Sequence, residues 1–263
     1  MADSQSAYLK AISLYEDRCF KEAMKWFKLA AGDGNRDAMY KLCSMFANGE
    51  GTEASDDKAK KWLERAAEAG HPAAMRDLGN CYYHGVSVLQ NDITAIEWFR
   101  KAAEAGDAPA MFSLAVCLFN GDGGHRDDAE GLVWLTKAAE CDNAPACSRL
   151  GEMYRYGAGI EQSTEQAARL YRKAADLGST TAMLALGEMY LGGELDGSTT
   201  EGIAMIRQAA EEGDADAMYA LGKMYIDGDP VPTDRDKGTM WLRRASDKGN
   251  VVATMALERL KAD

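Results

Sequence analysis

The sequence predicts an all-α fold, an α-solenoid of about seven helix-hairpin repeats closed by a C-terminal capping helix. Three observations carry this. Large residues recur at a fixed spacing: Trp26, Trp62, Trp98 and Trp134 stand 36 residues apart, and the series continues as Leu170, Met205 and Trp241. Around each, apolar residues fall at i, i+3, i+4, i+7 and i+8, as in Ala59, Trp62, Leu63, Ala66 and Ala67, which lines one face of a helix. Helix-ending residues repeat at the same period. A hairpin of this length cannot bury its own apolar stripe, so neighbouring copies must stack.

The first helix of each repeat reads Ala-x-x-x-Leu-small-x-x-aromatic, clearest at Ala74/Leu78/Gly79/Tyr82 and Ala146/Leu150/Gly151/Tyr154, and again from Ala182 and Ala217. It stops at Gly49, Gly85, Gly121, Gly157, Gly193 or Gly228. The second helix starts at Ser55, Asn91, Asp127, Ser163, Ser198 or Asp234, N-cap types whose side-chain oxygen accepts an otherwise unpaired N–H. Asp127 with Glu130, Ser163 with Gln166 and Ser198 with Glu201 predict three capping boxes. Its apolar stripe follows, for example Ala23/Trp26/Phe27/Ala30/Ala31. It ends before Gly34, Gly70, Gly106, Gly178, Gly213 or Gly249, glycines suited to the left-handed position after a helix, with Asp142 as the exception.

The first copy is degenerate, Ala7/Ala11/Ile12/Tyr15, with a shorter turn. The repeats are predicted at about 4–37, 38–73, 74–109, 110–145, 146–181, 182–216 and 217–250, within one domain spanning 1–263. A lone last helix, 251–263, puts Glu258 where other copies have Gly, Ala or Cys. A carboxylate at that close-packed position obstructs a further hairpin, so this helix is predicted to be a solvent-facing cap.

Composition narrows the function classes. The chain has 42 acidic and 30 basic residues, net charge −12, and no run of Lys/Arg longer than two. A nucleic-acid binder needs a basic face to displace counterions from phosphates, so nucleic acid is not an expected partner. The acidity suits solubility or a preference for a basic partner. The start, MADSQSAYLKAISLYEDR, has no apolar core behind a basic segment, and no window reaches membrane-spanning length. A soluble, cytoplasmic monomer is the expectation, with no membrane insertion.

The segments ACSRLGEMYRYGAG (146–159) and AIEWFRKAAEAGDAPA (95–110) give the chain its family likeness. Their pattern, AxxxLGxxYxxGxG paired with AxxWxxKAAExG, resembles the Sel-one-like repeat (SLR) family, a cousin of the tetratricopeptide repeats, over essentially the whole chain. The resemblance implies a right-handed superhelix and a non-catalytic adaptor that holds a partner protein or peptide, in regulation or signalling. Secreted cysteine-rich members bridge the two hairpin helices through residues eight apart, and some carry penicillin-binding activity. Here Cys147 matches the second bridge position but Ala139 fills the first. Cys81 and Cys117 sit one repeat apart, on helix axes about 8–10 Å apart, beyond disulfide reach. Six free thiols are therefore expected, and the alternative function, a β-lactamase-like hydrolase, loses ground.

Other chemistry is sparse. His71, His84 and His125 lie in different repeats without zinc spacing, so neither metal nor cofactor is expected. DGDPVPTDRDKG (227–238) lacks the sixth-position glycine and twelfth-position glutamate of a calcium loop. Ser55-x-x-Lys58 fits a penicillin-recognising motif by letter only, without its partner motifs, and no catalytic residue is assigned.

Candidate partner-binding residues come from the resemblance, since in tetratricopeptide proteins the first helices line a concave groove. The non-core positions there are Tyr40, Arg76, Phe112 and Tyr219 on one line, then Asn80 and Glu152 one turn on. Tyr83, Phe119 and Arg155 follow near the helix ends, then His84 and Tyr156. Arg149 joins them through a comparison with the carboxylate clamp of tetratricopeptide co-chaperones. Arg76, Asn80 and Arg149 are compatible with that clamp, whereas Ser113 and Pro145 depart from it. Tyr83, Phe119 and Tyr156 are the expected anchors, with Arg76, Arg149 and Arg155 supplying polar contacts.

Overall fold

A computed structural model describes residues 4–262, with side chains described to Leu260. The first three residues and Asp263, the outer ends of the predicted N-terminal segment and cap helix, lie outside the described residues. Fifteen α-helices and one short 3-10 turn make up the described chain. They are α1 Ser4–Glu16, α2 Phe20–Gly32, α3 Arg36–Asn48, α4 Asp56–Glu68, α5 Pro72–His84, α6 Asp92–Glu104, α7 Ala108–Asn120 and α8 Asp128–Glu140. Then come α9 Ala144–Tyr156, α10 Thr164–Asp176, α11 Thr180–Leu191, α12 Thr199–Glu211, α13 Ala215–Asp227, α14 Arg235–Asp247 and α15 Val251–Ala262.

Two compact units divide the chain, Met1–Lys137 and Ala138–Asp263, with the boundary inside α8. Within each, consecutive helices pair into hairpins and each hairpin packs on the next. The repeating small residues explain the closeness of the pairing. A methyl group on Gly79 would stand 2.7 Å from the Phe99 ring, and one on Gly187 would stand 2.8 Å from the Gly202 carbonyl oxygen. The alanine stripe is buried from Ala7 through Ala253, and among the described residues no polar or charged one is buried with it. The tryptophans are buried to half-buried, with a cation three residues on lying over four of the rings: Arg65 on Trp62, Lys101 on Trp98, Lys137 on Trp134 and Arg244 on Trp241.

Two backbone bonds punctuate nearly every repeat. Where one hairpin leads to the next, the N–H after the left-handed residue reaches back to the second helix, as in His71 to the Ala66 carbonyl and Asp107 to Ala102. Asp142 takes the left-handed conformation (φ 58°) without glycine, and Asn143 N–H still donates to Ala138. Inside the hairpin, the N-cap N–H of the second helix donates to the first helix: Ser55 to Phe46, Asn91 to Tyr82, Asp127 to Leu118, Ser163 to Tyr154 and Asp234 to Tyr225.

This inner clamp corrects the capping-box prediction. Among the described residues, only Ser198 and Glu201 form a reciprocal box. At Asp127 and Ser163 the N-cap N–H is already donated across the hairpin, so Glu130 and Gln166 have no donor to reach. Glu130 instead takes Arg100 and the Trp134 indole N–H. The Ser198 copy is one residue shorter, its second helix beginning without the cross-hairpin bond, and the Glu201 carboxylate takes the freed Ser198 N–H at 3.2 Å. Ser55 is a second correction: it occupies the N-cap position, but its side chain accepts no bond. The last helix, α15, buries Ala253 and leaves Glu258 exposed.

Candidate functional site

The first helices carry a second row of capping residues that the sequence pattern did not single out: Asn35, His71, Asp107, Asn143, Ser179, Asp214 and Asn250. Each side chain accepts the N–H three residues on, and some also receive the groove-facing residue of the preceding copy. The cue was available, since each follows directly on a predicted helix-ending position.

In the first unit this arrangement ties the predicted residues to one another. The Tyr40 ring stacks on His71 at 4.4 Å, and its hydroxyl donates to Asp77 Oδ2 at 2.6 Å. Burial, then the Asp77 carboxylate, hold the Tyr40 hydroxyl well above the usual tyrosine range. Arg76 donates to Asp107 at 3.0 Å and to Asp77 at 3.1 Å. Burial pulls against its charge, but Asp107 and Asp77 outweigh that and hold the guanidinium protonated. Arg76 therefore offers no free cation to a carboxylate clamp. Asn80 and Phe112 are half-buried.

The row beyond is also committed to the fold. Tyr83 donates to Asp122 at 3.0 Å, and that bond, with burial, pushes its hydroxyl up to about 12. The exposed His84 ring meets Tyr83 edge-on at 5.0 Å. The Phe119 ring covers Gly131 so closely that a methyl there would lie 3.0 Å away. Tyr83 and Phe119, two of the expected anchors, thus also make contacts inside the first unit. The next helix of the hairpin supplies a glycine, and the ring fills the space.

In the second unit Ser148 and Leu184 stand at the positions of Tyr40 and Arg76, and a cleft of about 350 Å³ opens between α9 and α11. Its sides include Arg149, Glu152, Arg155, Tyr156, Leu184 and Glu188. Arg149 and Glu152 pair at 2.6 Å on the outer surface. Arg155 is deeper, its side chain 10% exposed, and is held by Glu194 at 2.6 Å and Glu188 at 3.4 Å. Its guanidinium lies 5.3 Å from the Tyr156 ring centre, and 64% of Tyr156 is exposed. Tyr171 closes the back, its hydroxyl pushed up to about 12 by burial. Ser148 meets the cap Ser179 at 3.1 Å. Tyr219, half-buried on α13, lines a second groove beside α11.

Burial raises the Cys43 thiol to about 11 and Cys117 to about 12, and also lifts Cys81 and Cys147, so none of these is a thiolate nucleophile at neutral pH. All six cysteines are unpaired, and the Cys147 thiol donates to the Ala139 carbonyl at 3.5 Å. Lys58 lies over the Phe46 ring, 5.6 Å from its centre. Among the described residues no group of His, Cys, Asp or Glu is arranged to hold a metal ion, and no helix is long and apolar enough to cross a membrane.

The sequence model of the Sel1 repeat matches residues 19–35, 36–71, 72–107, 108–143, 144–179, 180–214 and 215–250. The first match begins at residue 19 and leaves out the degenerate α1. Among solved structures, the chain is similar to a protective antigen present in uropathogenic Escherichia coli strains that displays an SLR fold. Identity is 31% with a TM-score of 0.82, over 98% of this chain but 56% of the antigen. The chain thus spans little more than half the length of that relative. A Sel1 repeat protein from Oxalobacter formigenes is similar at 26% identity and TM-score 0.82, covering 91% of this chain and 96% of that one. An immunity protein from Pseudomonas aeruginosa, 20% identical with a TM-score of 0.51 over 81% of each chain, shares the fold alone. No curated protein matches the sequence.

Proposed function

Because the chain belongs to the Sel1 repeat family, whose members generally mediate protein–protein interaction, we propose that it is a non-catalytic scaffold that holds a partner in the grooves of the second unit. The observation that carries this is Tyr156. A large aromatic side chain that is 64% exposed, and seated against a guanidinium fixed by two carboxylates, is an anchor with little freedom left to lose on binding. Arg149 and Glu152 lie on the rim, where exposed charges steer association and orientation more than they add affinity. Six unpaired thiols favour a reducing compartment such as the cytoplasm, and the net charge of −12 favours a monomer.

Site-specific photo-crosslinking in the source cells tests this reading. A benzoylphenylalanine at Leu184, in the cleft, should capture a discrete partner, and Tyr156→Ala should abolish the capture. The same probe at Arg169, exposed on α10, should capture nothing comparable. Equal capture from both positions, or none from Leu184, would remove the groove from the account. A hydrolase would instead show turnover of a β-lactam or ester that survives re-purification, and no side chain described above is built for it.

A further inference from the structure

We propose that the groove between α11 and α13 is a docking site for a cationic amphipathic helix of the partner protein. This rests on the scaffold reading above and specifies the chemistry of what is held. Three helices build the groove. α11 and α13 each pack closely on α12 but barely touch one another, leaving a channel of about 520 Å³. Its lining is apolar: Leu184 and Leu191 from α11, Ile206 from α12, Tyr219 and Met224 from α13. Ile206 is fully buried as the floor, and the other four are half-buried walls.

The rim has the opposite character. Glu188, Asp216, Asp227 and Asp229 stand along it, all exposed, against the single ammonium of Lys223. Asn250 donates to Asp216 at 2.7 Å, which satisfies an oxygen without cancelling the charge. Arg155 reaches Glu188 at 3.4 Å but is held more closely by Glu194. An apolar channel between carboxylates is complementary to a row of apolar side chains flanked by Lys or Arg. A helix presents that row at i, i+3, i+4 and i+7. The walls are 12 and 13 residues long, enough for an occupant of roughly three turns. A second copy of this chain is a poor occupant, since each copy carries a net charge of −12. Nucleic acid is repelled for the same reason.

Fluorescence anisotropy with the intact chain tests the proposal against three labelled peptides. One has a leucine stripe at helical spacing with lysines elsewhere, the second is the same composition scrambled, and the third replaces lysine by glutamate. The striped cationic peptide should bind at least about tenfold more tightly than the scrambled one, more weakly as salt rises, and the glutamate peptide should not bind. Asp227→Lys with Asp229→Lys should weaken binding about tenfold, while Glu211→Lys with Glu212→Lys, a reversal of equal size at the C-terminal end of α12, should change it less than about twofold. Should the first pair lose helical signal, Glu188→Gln gives the same readout, with a loss of roughly threefold. Equal binding of striped and scrambled peptides, equal loss from both charge reversals, or no binding of the striped peptide would overturn the proposal. The Leu184 crosslink separates this from the scaffold reading. Capture of a partner segment that is acidic or lacks an apolar stripe sinks the cationic helix and leaves the scaffold standing; no groove-specific capture sinks both.

Discussion

The same helical positions are occupied differently in the two units. In the first, Tyr40 and Arg76 meet His71, Asp77 and Asp107, and the tyrosine hydroxyl and the guanidinium are both bonded inside the protein. In the second, the line reads Ser148, Leu184 and Tyr219, and the surface it leaves is a pair of grooves with an exposed aromatic and an acidic rim. Both rows use the same backbone frame, with caps, clamps and alanine stripes in register. The repeat therefore fixes where a side chain stands, and the local partners decide whether it is structural or available. Satisfied hydrogen bonds stabilise a groove wall modestly and remove it as a binding surface, whereas half-buried apolar walls retain the incentive to be covered.

The first unit should lose most when its network is cut. Arg76→Ala leaves Asp107, whose side chain is 9% exposed, and Asp77 without their cation. A loss of about 2–3 kcal/mol is expected in urea unfolding. Trp26, Trp62, Trp98 and Trp134 all lie in this unit, so tryptophan fluorescence reports on it almost selectively. Phe119→Ala should cost about 2 kcal/mol by the same measurement, because the ring fills the space over Gly131. A loss below about 0.5 kcal/mol would return Phe119 to the list of free binding residues.

A smaller effect separates the units by pH. His71 Nδ1 accepts the Ala74 N–H as a helix cap, and burial lowers the histidine pKa, partly opposed by Asp37. A lowered folded pKa means the unfolded chain binds the proton first. The stability contributed by neutral His71 is thus present above the ordinary value of about 6.5 and is lost as pH falls from there through the folded value. The cap is worth ~1 kcal/mol, so the first unit should weaken by up to that amount on acidification, and His71→Asn should remove the dependence. A first unit whose midpoint is flat over that range would contradict the cap. The smallest effect belongs to the second unit: Tyr156→Ala should change stability by less than about 0.5 kcal/mol while eliminating partner capture.

Much of this was legible in the sequence. The Trp26–Trp62–Trp98–Trp134 spacing and the recurring glycines mark the hairpins, and the structure places helices where they indicate. What the sequence could not show lies in contacts between helices. Glu130 looks like half a capping box until the Asp127 N–H is seen bonded to Leu118. Phe119 looks like a free aromatic until Gly131 is found beneath it, twelve residues along the chain. Arg76 and Arg155 look like available cations, yet carboxylates at Asp107 and Glu194, 31 and 39 residues away, occupy them. Tyr156, by contrast, stays 64% exposed.

Hydrogen–deuterium exchange of the chain with and without its captured partner tests the central claim most directly. Partner-induced protection should fall on α9, α11 and α13, residues 144–156, 180–191 and 215–227, and leave α3 and α5 unchanged. Protection of α3 and α5 instead, or of the second helices alone, would contradict the assignment of the open grooves as the binding surface.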